Sequence, residues 1–143
     1  MVNIPEDVLS KFSSFVPSVL ATSRDNRPYT TFISWLILKD GSTVRFALSR
    51  DSYSAENLRS NPYASVEIFG EGIAMSISGT VKVVKEEIDE LSFPVSVFEM
   101  KVENVSDNLF PGANITGTIP FEHSGDVKKA EELDEIVLKY LRE

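Results

Sequence analysis

Between Val19 and Val105 apolar side chains recur at every second position over most of the chain, the period that gathers them on one face of a strand. Six strands are predicted, at residues 19–23, 29–39, 42–48, 63–69, 73–84 and 97–105. The second is apolar on both faces, with Thr31, Ile33, Trp35 and Ile37 on one and Phe32, Leu36 and Leu38 on the other. Such a strand must be covered twice, so in a small barrel one face lines the interior and the other meets a helix, a partner subunit or a ligand. Asp40-Gly41 signals a hairpin into the third strand, where Val44, Phe46 and Leu48 share a face. The fifth strand alternates from Ile73 to Val84 and is interrupted by Gly79, where a bend or bulge is expected because closing a barrel requires one.

Helical periodicity is confined to the flanks and one insertion. Val8, Leu9, Phe12 and Phe15 form an apolar stripe behind Pro5, predicting an N-terminal helix within residues 1–15. Ser52 to Ser60 reads as a short helix that stops before Asn61-Pro62, because a residue preceding proline disfavours helical geometry. Lys85 to Leu91 reads as an acidic helical turn, and residues 126–142 as a helix with Ala130, Leu133, Val137, Tyr140 and Leu141 on one face. Asp107 to Thr118, with Pro111-Gly112, is too long for a hairpin and is expected to be a loop of the kind that lines sites. The whole of 1–143 is read as a single, mainly β domain with peripheral helices.

Composition narrows the function classes. Hydrophobic residues make up 42% of the chain, enough for one core. No apolar run is long enough to span a bilayer and the start carries Glu6 and Asp7 rather than a basic leader, so a cytoplasmic protein is expected, with no membrane partner. The absence of cysteine excludes disulfides and thiolate chemistry, and a lone His123 excludes histidine clusters, so no metal site is expected. A net charge of −8 argues against nucleic-acid binding. That charge is uneven: residues 1–60 hold seven basic against six acidic side chains, and residues 61–143 seven against sixteen.

The more basic half contains the stretch with most chemistry, Ser49 to Pro62. Hydroxyls and Arg50 crowd a helix start there, where unpaired backbone N–H groups and the peptide dipoles favour an anion such as phosphate. The same residues also serve as ordinary helix caps. The acidic runs Glu86-Glu87 and Glu131-Glu132 are read as solvated faces.

Taken in order, Leu20-Ala-Thr-Ser, Arg27-Pro28, Trp35, Asp40-Gly41 through Phe46, Ser52 through Leu58, Asn61-Pro62 and Ser78-Gly79-Thr80-Val81 resemble the pyridoxamine 5'-phosphate oxidase-like proteins, which bind flavin mononucleotide (FMN). The resemblance covers residues 18–84. It implies a six-stranded antiparallel split β-barrel of FMN-binding type that forms a homodimer, with the flavin at the subunit interface. Family members hold the flavin phosphate at the helix after the second hairpin strand, which falls here on Ser49, Arg50, Ser52, Ser54 and the neighbouring Asn57. The ring and ribityl chain are implied to lie along Thr30, Thr31, Phe32, Ile33 and Ser34. A flat apolar slot with backbone donors is what a flavin needs, and this strand offers one.

Two departures shape the functional expectation. Many relatives carry a lysine or arginine where this chain has Ser54, and the oxidase proper has a glutamine where this chain has Ala74. The acidic C-terminal helix also lacks the oxidase's basic substrate-binding residues. The expectation is therefore a flavin-dependent oxidoreductase acting on an unidentified small molecule or electron donor, and not the oxidase proper. Its rivals are an FMN carrier or sensor without dedicated turnover, and a split barrel that binds F420 or haem. No catalytic residue is assigned, although Tyr53 or His123 could donate a proton near the ring if the long loop covers it.

Overall fold

A computed structural model describes all 143 residues. In chain order the elements are α1 (Glu6–Leu9), β1 (Ser18–Arg24), β2 (Arg27–Ile33), β3 (Leu36–Asp40), β4 (Thr43–Ser49), α2 (Tyr53–Ser60), β5 (Tyr63–Gly70), β6 (Ile73–Lys85), β7 (Val95–Asp107) and α3 (Val127–Arg142). The seven strands form one antiparallel sheet in the order β2-β1-β5-β6-β7-β4-β3.

The strand count corrects the sequence reading, which expected six. The apolar run from Tyr29 to Lys39 is not one strand: it breaks at Ser34-Trp35, and its halves pair with different partners, β2 with β1 and β3 with β4. Consecutive in sequence, β2 and β3 therefore occupy opposite edges of the sheet. The edges come together only at the crossing, beside which Val16 N–H, just before β1, donates to the Leu36 carbonyl of β3 at 2.8 Å. This is a split barrel: the wall is continuous except where the chain itself steps across.

The core follows from the alternation. Leu20, Leu36, Val44, Phe46, Val66, Ile68, Ile77 and Phe98 point inward and are almost wholly buried, with Phe46 and Phe98 stacked at 5.5 Å. A second, smaller core lies outside the wall, where Ile37 and Ala47 meet Val95 and Val97 together with Val137 and Leu141 of α3. That accounts for the two apolar faces of β3, one inside the barrel and one under α3. The half of the run that became β2 has no such cover. Phe32 is 46% exposed and Tyr29 39%.

Gly79 sits where a bend is expected. The β6–β7 register slips between Ser78 and Gly79, and a Cβ on Gly79 would lie 1.9 Å from the Lys101 carbonyl oxygen. Two helix expectations are corrected. The N-terminal helix is a single turn, because Lys11 and Phe12 already bond back three residues rather than four and the chain tightens and stops. Residues 86–94 are a loop, not a helical turn: Ile88 and Leu91 anchor it in the outer core and Ile88 N–H pairs with the Val95 carbonyl. In α3 the Asp126 carboxylate accepts from the Lys129 N–H at 3.1 Å, capping the helix where the sequence placed its start.

Candidate functional site

The split in the barrel wall opens into a groove of about 340 Å³ between β2, the Ser34-Trp35 crossing, the end of β4 and the start of α2. That size lies in the usual range for small-molecule sites, roughly 300 to 1,000 Å³. One wall is apolar, from Tyr29, Phe32, Ile33, Trp35, Ala47 and Leu48. Hydroxyls of Ser34, Ser49, Ser52 and Ser54 line it as well.

Local sequence explains how α2 is held at the groove. Ser52 is extended and its Oγ accepts from the Ala55 N–H at 3.2 Å, so the helix starts at Tyr53. Ala55 and Leu58 enter the barrel core. Asn57 is fully buried and its amide donates to Thr22 Oγ1 at 3.1 Å, while Asn61 donates to Ser23 Oγ at 2.8 Å. Two asparagines on successive turns thus fasten α2 to β1. The Asn57 Oδ1 has no protein partner.

Of the ten residues expected to bind a cofactor, the fold brings seven to the groove: Thr31, Phe32, Ile33, Ser34, Ser49, Ser52 and Ser54. Three fall outside its lining. Thr30 is exposed and lies outside the lining. Asn57 is on the side of α2 that meets β1, where it fixes the helix to Thr22. Arg50 turns toward the 86–94 loop, with its guanidinium 3.7 Å from Glu87 and 3.6 Å from Asp51. Its carbonyl accepts from Arg59, which itself faces Glu86 at 3.7 Å.

Five lining residues were not among the expected binders: Tyr29, Trp35, Ala47, Leu48 and Tyr53. Tyr53 carried a signal, an aromatic at a helix start among serines that no apolar stripe explains. Trp35 did not, because the break that turns it into the groove depends on which strands pair. Its indole N–H donates to Asp134 Oδ1 at 2.7 Å, and the other oxygen of Asp134 lies 3.4 Å from His123 Nε2. One carboxylate on α3 therefore holds both a groove wall and the segment before α3. Phe121 in that segment meets Phe32 edge-on at 5.4 Å. His123 is thereby directed to Asp134.

A family model described as pyridoxamine 5'-phosphate oxidase matches residues 4–108, well over half of the chain. The chain belongs to the pyridoxamine 5'-phosphate oxidase family. No curated protein matches it. Among solved structures, an F420 reductase superposes with a TM-score of 0.60 at 18% identity, covering 72% of this chain and 98% of that one. A FAD-binding protein from Mesorhizobium loti gives 0.56 at 17%, covering 73% and 94%. General Stress Protein 26 from Bacillus anthracis gives 0.58 at 13%, covering 71% and 91%. At these identities the likeness is one of fold, the family's split barrel. No helix of this family member is long and apolar enough to cross a membrane.

Proposed function

We propose that the groove binds FMN and that the protein is a flavin-dependent oxidoreductase of the pyridoxamine 5'-phosphate oxidase family. The observation that carries this reading is the composition of the groove, in which an apolar slot along β2 and the Ser34-Trp35 crossing runs into serine hydroxyls at the start of α2. The donor set fits the group. The slot suits a flat aromatic ring, and Ser49, Ser52 and Ser54 offer hydroxyls for the oxygens of a phosphate or ribityl chain. Bound flavin supplies two-electron or one-electron redox chemistry at its ring. The protein's own part is to orient the ring against β2, to exclude water with Tyr29, Trp35 and Leu48, and to leave one side open to a small molecule.

The single tryptophan makes the test direct, because Trp35 lines the groove. Titrating the ligand-free protein with FMN is expected to quench Trp35 emission and to give the protein flavin's visible absorption. Protein that stays colourless and leaves Trp35 unquenched by FMN would overturn the reading; a response to F420 or haem instead would name the rival ligand. Reoxidation of the reduced, FMN-loaded protein by a small acceptor faster than free reduced FMN reacts separates an enzyme from a carrier.

The same reading includes a homodimer. In one copy the groove is walled on one side, and Phe32, Tyr29 and Tyr53 remain 46%, 39% and 54% exposed along its rim. Aromatic surface of this kind is best stabilised against a partner. Light scattering is expected to return twice the 15.9 kDa chain mass. A monomer at micromolar concentration would remove the partner wall from the proposal.

A further inference from the structure

Flavin phosphate needs counter-charge, and the cation that sequence offered, Arg50, is turned to Glu87 and Asp51 outside the groove lining. We propose that Arg24 and Arg27, paired across the tip of the β1–β2 hairpin, form the cationic end of the groove and take the ligand's phosphate. This rests on the flavin reading and assigns the charge within it.

The placement follows from register. Arg24 and Arg27 are Cα partners, closed off by Asp25 and Asn26 at φ 53° and 63°, the left-handed geometry of a tight hairpin turn. Directly paired residues project from the same face of a sheet, and every second residue follows them there. Arg27 therefore shares its face with Tyr29, Thr31 and Ile33, three residues that line the groove. The row continues beyond Tyr29, the last lining residue at this end, to the two arginines, which lie just outside the lining.

Direct contacts fix one of the two at the rim. The Arg24 guanidinium carbon sits 5.3 Å from the centre of the Tyr53 ring, and Tyr53 packs on Tyr29 at 4.6 Å. Both tyrosines line the groove.

Charge is unbalanced at this tip. Like charges directly opposed on neighbouring strands repel. Arg24 has one carboxylate near it, Glu56 at 3.9 Å, and Arg27 has none within 4 Å. By contrast Arg50 and Arg59 are met by Glu87 and Glu86. Of these four arginines Arg27 alone has no ion-pair partner within 4 Å, and the carboxylates of the tip are Glu56 beside Arg24 and Asp25 in the turn. A phosphate monoester carries close to two negative charges and three acceptor oxygens, which the forked donors of two arginines match.

The experiment compares FMN with riboflavin, which has the same ring and ribityl chain without the phosphate. Affinities of both are measured by Trp35 quenching for the wild type, Arg24→Gln, Arg27→Gln, the double variant and Arg50→Gln. Each single change at the hairpin is expected to weaken FMN about tenfold, and the pair about a hundredfold, since charge-assisted bonds of this kind are lost one by one. Riboflavin affinity is expected to stay within about twofold, and Arg50→Gln to leave FMN within about threefold, as its partners are already carboxylates. Raising the salt concentration should weaken FMN in the wild type more than in the double variant.

Three outcomes overturn the assignment. An unchanged ratio of FMN to riboflavin affinity in the double variant, with the wild type still preferring FMN, removes the arginines and leaves the flavin reading standing. Equal loss of both ligands shows that Arg24 acts only by packing on Tyr53, and the assignment falls again. A wild type that binds neither ligand removes the assignment together with the flavin reading.

Discussion

Gly79→Ala is expected to destabilise the protein by about 3 kcal/mol or more, because the new methyl group has no space that the fold can supply cheaply. Its Cβ would lie 1.9 Å from the Lys101 carbonyl oxygen, 2.9 Å from the carbonyl carbon and 3.2 Å from the Glu103 N–H nitrogen. All three neighbours are backbone, so no side chain can rotate aside. Relief requires β7 to move away from β6, and the two are the longest strands, at 13 residues each. The site is also where the register slips, so a displaced β7 loses its ladder bonds on both sides of the slip. Urea or thermal melts of the two proteins check this. A change below about 1 kcal/mol would mean that the β6–β7 contact is looser than the structure shows.

Thr31→Trp is expected to lower FMN affinity at least a hundredfold while leaving stability within about 0.5 kcal/mol. Thr31 is half-buried on the β2 face that lines the groove, and β2 is an edge strand with room on its open side. Tryptophan suits a strand, so the backbone tolerates it. Its ring would occupy the slot proposed for the flavin, and a filled slot cannot be refilled without expelling a large apolar side chain. Since a second tryptophan confuses emission quenching, the readouts are flavin fluorescence polarisation and a thermal melt. Retained affinity with unchanged stability would move the ring away from β2.

These two experiments rest on parts of the molecule that were unequally legible beforehand. Gly79 could be singled out from sequence, because a glycine inside a long alternating strand has few explanations and all involve a bend or a close backbone approach. The Asp40-Gly41 hairpin and the capped α3 were readable for the same reason, since each depends on residues within a few positions of one another. The N-terminal helix misled, because its apolar stripe is served as well by one turn followed by a chain segment that lays Phe12 against the core.

The groove was legible as residue types and not as an arrangement. Serines at a helix start and an apolar strand before them were visible, and the fold brings seven of those residues to one opening. Arg50 shows why the remainder was not. Its neighbours along the chain, Ser49 and Ser52, line the groove, yet its guanidinium is drawn the other way by Glu87, a residue 37 positions later. Arg24 is carried to Tyr53 by the hairpin's register, which no local rule at Tyr53 could reveal.

By itself the sequence determined a mainly β chain, the approximate extent of six apolar segments, the bend at Gly79 and the resemblance to its family, because alternation and turn chemistry act within a few residues. Only the tertiary structure decided that the run from Tyr29 to Lys39 is two strands. Both halves carry apolar side chains at strand spacing, and no glycine or proline marks Ser34-Trp35 as a break. The break exists because β1 and β4, far apart in the sheet, each take one half, and backbone hydrogen bonds to two distant partners cannot be satisfied by one straight strand. The groove is the opening left by that division.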